Sequence, residues 1–219
     1  MGRFFEQDNP VSRVLAGILD LIILNALFLL TSLPVFTIGA SLTALYSSIL
    51  WRENEDGYLH RIYFSSFKNN FKQATIVWVP CLAAGLFFGY ELYLVYNVLD
   101  KSYSFLQYPV LLALFILVSI LLYAFPQIAR YRQSIPVLLK NSILISISNI
   151  VLTIACLAVT FLIVDTALHN GDWMVLIFSL YLFIGFSLSV KILSFYLRGI
   201  FRKIEEKNGT DTVADSKGM

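Results

Sequence analysis

Long apolar runs alternate with short polar connections along the chain, which has 219 residues. A membrane-spanning helix needs about 20 mostly apolar residues, so runs near this length predict transmembrane helices. The candidate spans are Val14–Pro34, Ile38–Trp51, Ala74–Val98, Phe105–Ile128, Ile143–Val164 and Trp173–Leu197. The pattern predicts an all-α polytopic membrane bundle of about six transmembrane helices. We expect residues 1–207 to form a single transmembrane domain and residues 208–219 to be a disordered polar tail.

The second run, Ile38–Trp51, is the weakest candidate span. About 14 helical residues rise only about 21 Å, whereas the hydrocarbon core of a bilayer is about 30 Å thick. A spanning helix here must be extended at its ends, be flanked by thinned lipid, or be shielded by neighbouring helices. The alternative is a re-entrant segment that enters and leaves on the same side.

An amphipathic pattern precedes the third span, between Tyr58 and Gln73. Large apolar side chains recur there at three- and four-residue steps, with basic and amide side chains between them. The apolar positions are Leu59, Ile62, Tyr63, Phe67 and Phe71. This spacing predicts an interfacial amphipathic helix, which can run directly into the third span.

Composition supports a membrane location and excludes several other classes of protein. Only 14% of the residues are charged and 58% are hydrophobic, whereas soluble domains carry about 25% charged residues. Most of the surface is therefore expected to face the lipid bilayer. The net charge is +2 and the basic residues are dispersed, which argues against a nucleic-acid partner. Cys81 and Cys156 lie apart inside apolar runs, so neither a disulfide framework nor a zinc site is predicted.

The distribution of Lys and Arg predicts an orientation, because basic residues concentrate on the cytoplasmic side of plasma-membrane proteins. With six crossings, all of the 16 basic residues except Lys101 fall on the same side as the N-terminus. A re-entrant second segment would move the N-terminus to the outer side and divide the basic residues 13 to 3 instead of 15 to 1. The count favours six crossings with both termini in the cytoplasm.

Three polar residues inside the spans are candidates for an intramembrane site, because burying such groups in lipid is costly. Asp20 and Asn25 lie in the first span and Glu91 lies in the third. They could line a solute or proton path, or they could join helices by hydrogen bonds. Glu91 could equally extend to the membrane surface. The chain contains no motif typical of a catalytic, metal or cofactor site, so we predict no catalytic residue, no metal and no cofactor, and no enzymatic activity.

Three short segments in the N-terminal third resemble the YesL family, a bacterial membrane-protein family of unknown function. They are Leu33–Ala40, Thr43–Tyr46 and Phe64–Ala74. The positions that carry the motif are Pro34, Thr37, Gly39, Phe67, Lys68, Asn70 and Phe71. In physical terms the motif predicts a corner between two helices at Pro34 and Gly39, with Thr37 as a cap for the second helix.

The resemblance also implies a cellular context. Members of the YesL family are typically encoded in Gram-positive bacteria, often beside genes for carbohydrate ABC transporters and polysaccharide degradation. By this association we expect an accessory or interaction component of carbohydrate (oligosaccharide) uptake or utilisation, with such a transporter or another membrane protein as its partner. The alternative is a small solute or ion transporter or channel, acting as a homo-oligomer.

Overall fold

A computed structural model describes residues 10–51, 59–98, 101–169 and 171–208. All regular elements in these ranges are helices, and they include a 3-10 turn, Val35–Thr37, before α2 and a 3-10 helix, Lys101–Leu106, before α4. The main helices are α1 (Pro10–Ser32), α2 (Ile38–Trp51), α3 (Leu59–Asn97), α4 (Gln107–Arg130), α5 (Ile135–Ser148), α6 (Ile150–His169), α7 (Gly171–Leu180) and α8 (Phe186–Asn208). A π-helical turn, Tyr181–Gly185, joins α7 to α8.

The prediction of an all-α membrane bundle is confirmed. Within the described ranges, four helical segments are long and apolar enough to cross a membrane. They are Val14–Ser32, Leu59–Asn97, Gln107–Arg130 and Gly171–Glu206. The bent pair α5–α6 is a fifth candidate if it counts as one span, and α2 is a shorter apolar helix.

Helix α2 lies at the centre of the bundle, where it packs most extensively against α3 and also contacts α1, α4 and α8. All residues from Thr43 to Leu50 are buried. Small and hydroxyl side chains dominate its surface, so neighbouring helices approach closely. Its hydroxyls donate back to carbonyls of the same helix, as Thr43 does to Gly39 and Ser48 does to Ala44. The shortness of the second predicted span is therefore accommodated by burial within protein.

Gly39 fixes the closest approach of α2 to α3. A Cβ atom at this position would lie 2.6 Å from Cβ of Trp78 and 2.9 Å from the carbonyl oxygen of Ala74. The aromatic ring of Phe125 on α4 would be 3.0 Å away. Since real side chains do not approach so closely, only glycine permits this three-helix junction.

The predicted interfacial helix is not a separate element. It is the N-terminal part of α3, which runs without interruption from Leu59 to Asn97 for about 58 Å. Its apolar stripe packs against the core, with Tyr63 fully buried and Phe67 and Phe71 packed against the core cluster. The basic side chains of Lys68 and Lys72 remain exposed.

The predicted fifth span, residues 143–164, is not one straight helix. α5 ends at Ser148, and α6 leaves it at an angle of 91°. Asn149 occupies the break with φ −123° and ψ 44°, and its side-chain amide donates to the carbonyl oxygen of Ile145. The backbone N–H of Asn149 donates to the same carbonyl oxygen, so both groups of this residue hold the end of α5 at the bend, where an apolar run alone predicts continuity.

Helices α6 and α7 form a hairpin that contacts the rest of the bundle mainly through α5 and the π-helical turn. No described residue of α7 is buried. Large apolar side chains such as Phe161 and Phe178 are exposed over about two thirds of their area. The hairpin thus leaves much of its apolar surface uncovered by the rest of the described chain.

Candidate functional site: a polar cleft at the α4–α5 linker

A cleft of about 730 Å³ lies where the end of α4, the linker 131–134, α5 and the C-terminal part of α8 meet. Its lining combines amide, basic and apolar side chains, which is typical of ligand sites that need a few oriented polar groups. The amides are Gln127, Gln133, Asn141 and Asn149. Part of the lining, including Arg132 and Gln133, lies in the polar connection between the fourth and fifth predicted spans.

A directed chain of side-chain hydrogen bonds runs from the cleft into the bundle. Asn141 donates to Oε1 of Gln133 at 3.1 Å, and Gln133 donates to Oε1 of Gln127 at 3.1 Å. Gln127 in turn donates to the Ser142 hydroxyl at 2.9 Å. The backbone of the linker is tied to α3, because the Gln73 amide donates to the carbonyl oxygen of Gln133 at 2.8 Å. These bonds hold the cleft amides in fixed orientations.

A second cluster of buried polar side chains lies between α4, α5 and α6. The hydroxyls of Tyr123 and Thr153 are 2.9 Å apart, and Ser146 donates to the Ser119 hydroxyl at 2.8 Å. The Ser146 and Thr153 hydroxyls are 3.4 Å apart, which joins the two pairs. Each group therefore has a protein partner, as burial requires.

The cleft contains the carboxylate of Glu205 on α8, and its charge is balanced by the guanidinium of Arg130. Arg130 donates to both of its oxygens, at 2.9 and 3.1 Å, and the Tyr131 hydroxyl also donates to it. The Arg130 guanidinium lies 5.6 Å from the centre of the Phe201 ring. Burial, together with the hydrogen bond to Glu205, raises the pKa of Tyr131 well above its usual range. Tyr131 therefore remains a neutral donor at physiological pH.

Two cations of the cleft have no such partner. Arg132 follows the end of α4 and Lys203 lies on α8, and both side chains are exposed. Neither has an ion pair within the described residues. Because Arg130 cancels Glu205, these two side chains give the cleft an excess of positive charge.

Asn25, one of the predicted intramembrane polar residues, joins α1 to the π-helical turn. Its amide nitrogen donates to the carbonyl oxygens of Tyr181 and Leu182 at 3.0 and 2.9 Å. Its carbonyl oxygen accepts the backbone N–H of Ser187 at 3.2 Å. The side chain is fully buried. These contacts match the helix-joining alternative, since a π-helical turn disrupts the regular backbone pattern and Asn25 binds the groups beside it.

Asp20 and Glu91 are not brought together with Asn25 in a polar cavity. Both are half-buried, and Glu91 lies near the far end of α3 from the α2 contact. Neither lines the α4–α5–α8 cleft, nor the smaller cavity of about 430 Å³ between α1, α2 and α8.

The corner motif is architectural in the structure. Pro34 is exposed and begins the turn, and Thr37 and Gly39 are buried. The Thr37 hydroxyl lies 2.6 Å from the carbonyl oxygen of Pro34 and also contacts the carbonyl oxygen of Thr31. Thr37 therefore binds carbonyls at the end of α1 and in the corner, instead of capping the N–H groups of α2 as expected. Trp78 of α3 donates to the carbonyl oxygen of Val35 at 2.8 Å, which fixes the corner against α3.

The second half of the motif lies on the N-terminal part of α3. Phe67 and Phe71 pack edge to face with ring centres 5.5 Å apart. Asn70 donates to Ser66 at 3.0 Å, and Ser66 donates to Ser47 of α2 at 2.6 Å. Lys68 points outward and is exposed. The motif thus joins α2 to α3.

Sequence reasoning missed most of the cleft. Gln127, Gln133 and Asn149 belong to no recognised sequence motif. The four amide side chains within the largely apolar segment 127–149 are nevertheless a feature that could have indicated a polar site. Arg130 and Glu205 are 75 positions apart, so no local spacing could pair them.

Comparison with known proteins gives one match. The model of a family described as a protein of unknown function, DUF624, matches residues 21–92, about a third of the chain. These residues run from Leu21 in α1 through α2 to Leu92 in α3, and they contain the corner motif. No curated protein and no solved structure matches the chain.

Proposed function

We propose that the chain is a YesL-like accessory component of the plasma membrane that binds a membrane protein of a carbohydrate (oligosaccharide) uptake system. The match of residues 21–92 to a family of unknown function is consistent with this resemblance. In this proposal the protein contributes contacts rather than catalysis, so it is not an enzyme. The bilayer and the transporter are its partners.

The observation that carries the proposal is the exposed α6–α7 hairpin. α7 contributes no described residue to the core, and the hairpin leaves the bundle at the 91° bend after α5. Helices that pack little against their own chain can offer a large surface to helices of another membrane protein. The intramembrane polar residue Asn25, by contrast, is occupied by bonds within the chain.

The proposed orientation places both termini in the cytoplasm. Arg198 donates to the carbonyl oxygen of Ile49 at 2.9 Å, and Arg130 pairs with Glu205. The C-terminal ends of α2, α4 and α8 therefore lie near one another, which supports the grouping of basic residues on one side. A cysteine-accessibility assay with an impermeant reagent at position 203 tests this orientation; labelling from outside intact cells would contradict it.

The test of partner binding is purification of the tagged chain from its native membrane in mild detergent. We expect a stoichiometric membrane partner belonging to a carbohydrate ABC transporter. The double substitution F161A/F178A removes two exposed rings of the hairpin and should reduce recovery of the partner. Phe87→Ala on α3 is the matched control, since Phe87 is also more than half exposed. Recovery of the wild-type chain without any partner would refute the proposal.

A second candidate, a small solute or ion transporter acting as a homo-oligomer, draws on the hydrogen-bonded chain that enters the bundle at Gln127. Proteoliposomes containing the purified chain test it. A flux of ions, protons or oligosaccharides that falls in Asp20→Asn or Gln127→Leu would favour transport. An absence of flux in the wild-type protein would favour the accessory role.

A further inference from the structure

We propose that the α4–α5–α8 cleft binds the phosphate headgroup of an anionic phospholipid, with Arg132 and Lys203 holding the phosphate. The cleft has room for more than a phosphate group, because its volume of about 730 Å³ lies in the range of small-molecule sites. This inference concerns a site separate from the α6–α7 hairpin, and it does not depend on the proposed function.

Charge is the first reason for an anionic ligand. Glu205 would repel an anion if it were free, but Arg130 binds both of its oxygens and Tyr131 donates to it as well. The cationic groups of Arg132 and Lys203 are then in excess at the cleft. A phosphate diester between them would gain charge-assisted hydrogen bonds.

Oriented amides are the second reason. Asn141 donates one N–H group to Oε1 of Gln133. Each primary amide carries two N–H groups and one carbonyl oxygen. Asn141 and Gln133 therefore retain donors at the cleft in positions fixed by the hydrogen-bonded chain. Such donors suit ester oxygens and headgroup hydroxyls beside the phosphate.

The apolar surroundings favour a lipid as the source of the phosphate. Leu144 lines the cleft and is 51% exposed, and Ile147 on the same helix and Val151 just beyond the bend are 59% and 79% exposed. Acyl chains can cover this surface while the phosphate remains at the cleft. A free phosphate would leave it uncovered.

The position of the cations along their helices also fits a headgroup. Arg132 lies two residues beyond the end of the apolar helix α4, and Lys203 follows the largely apolar first half of α8. Basic residues at the ends of apolar helices lie where anionic headgroups are found, and the attraction is strong near that surface.

The test measures binding of a fluorescent short-chain phosphatidylglycerol to the delipidated full-length protein in a non-ionic detergent. We expect saturable binding to the wild-type protein, about tenfold tighter than binding of the matched phosphatidylcholine. The double substitution R132Q/K203Q should weaken phosphatidylglycerol binding about tenfold or more, and Lys203→Gln alone should give a smaller loss.

The matched control is R61Q/K72Q, which removes one Arg and one Lys from exposed positions on α3 and so changes the net charge equally. Its affinity should stay within about twofold of the wild-type value. An equal loss in both double variants, or equal binding of the two lipids, would overturn the proposal. Displacement of the lipid by millimolar inorganic phosphate would also overturn it, in favour of a site for free phosphate.

Discussion

The N-terminal unit, α1–α3, and the α4–α5–α8 cleft differ in their polar side chains: buried hydroxyls bond within and between helices in the first, and amides lie beside two exposed cations in the second. In the N-terminal unit the hydroxyls of Thr43 and Ser48 bind carbonyls of their own helix, and Gly39 brings the helices into contact. At the cleft, amides from different elements bind one another and leave two cations exposed. The family match covers the first region and not the second. The corner motif lies within the matched range and serves helix packing, whereas the ligand site that we propose lies outside that range.

The largest effect is expected for Gly39→Ala, which tests whether the motif is architectural. The new Cβ would lie 2.6 Å from Cβ of Trp78, and such overpacking typically lowers the free energy of unfolding by about 1–3 kcal/mol. We expect a value near the upper end of that range, measured by thermal unfolding in detergent. Gly17→Ala is the control, because a Cβ added at Gly17 would have no atom within 4 Å, and it should be neutral or slightly stabilising. Equal losses in the free energy of unfolding for Gly39→Ala and Gly17→Ala would contradict the architectural role of Gly39.

Glu205→Gln tests how the cleft is held together. The substitution leaves Arg130 with a neutral partner, and both side chains are at most 20% exposed. We expect the free energy of unfolding to fall by about 2 kcal/mol. Glu206→Gln breaks only an exposed pair with Arg202, so its effect should stay within about 0.5 kcal/mol. Similar unfolding midpoints for the two variants would contradict the assignment of Glu205 as a partly buried link between α4 and α8.

Asn25→Leu tests whether this residue joins helices. Three hydrogen bonds to the segment 181–187 are lost, and intramembrane bonds contribute about 0.6 kcal/mol each on average. The expected loss in the free energy of unfolding is therefore about 2 kcal/mol or slightly less. Asn97→Leu is the control, since Asn97 is exposed and its amide bonds only to its own helix, at Tyr93. A stable Asn25→Leu protein with altered flux in liposomes would instead support a solute path.

The smallest effect concerns alkaline pH. Burial and the bond to Glu205 raise the pKa of Tyr131, so the folded state keeps this proton when the unfolded chain loses it, near pH 10. Stability that depends on Tyr131 is thus present below about pH 10 and declines above it. Between about pH 9 and pH 10.5 the free energy of unfolding should fall by about half a kcal/mol less in Tyr131→Phe than in the wild-type protein. Parallel pH profiles would contradict the buried position of this hydroxyl.

Most of the helices were predictable from the sequence, because a helix that crosses a membrane needs about 20 mostly apolar residues and such runs are visible in the sequence. The burial of α2 was among the alternatives that its length left open. The break at Asn149 was not predicted, since one amide in an apolar run has the same hydropathy whether the helix bends or continues. The direct extension of the amphipathic segment into α3 was foreseen, but its packing on α2 was not.

The candidate site was less predictable, because its members come from distant parts of the chain. Asn25 was identified as a residue that could join helices, but its partners are backbone groups at the π-helical turn that residue types do not reveal. Gln73 and Gln133 meet across 60 positions, and the pairing of Arg130 with Glu205 depends on how α8 crosses the end of α4. Such contacts follow from the packing of whole helices.

The most direct test of the central claim is site-specific photo-crosslinking in native membranes, with a photoreactive amino acid replacing Phe178 in one strain and Phe87 in another. Both side chains are exposed in the structure, by 69% and 58%, so both probes reach outside the chain. We predict a discrete crosslink to a membrane protein of a carbohydrate transporter from position 178 on the α6–α7 hairpin, and none from position 87. Crosslinks only to lipid at both positions, or the same partner at position 87, would contradict the account.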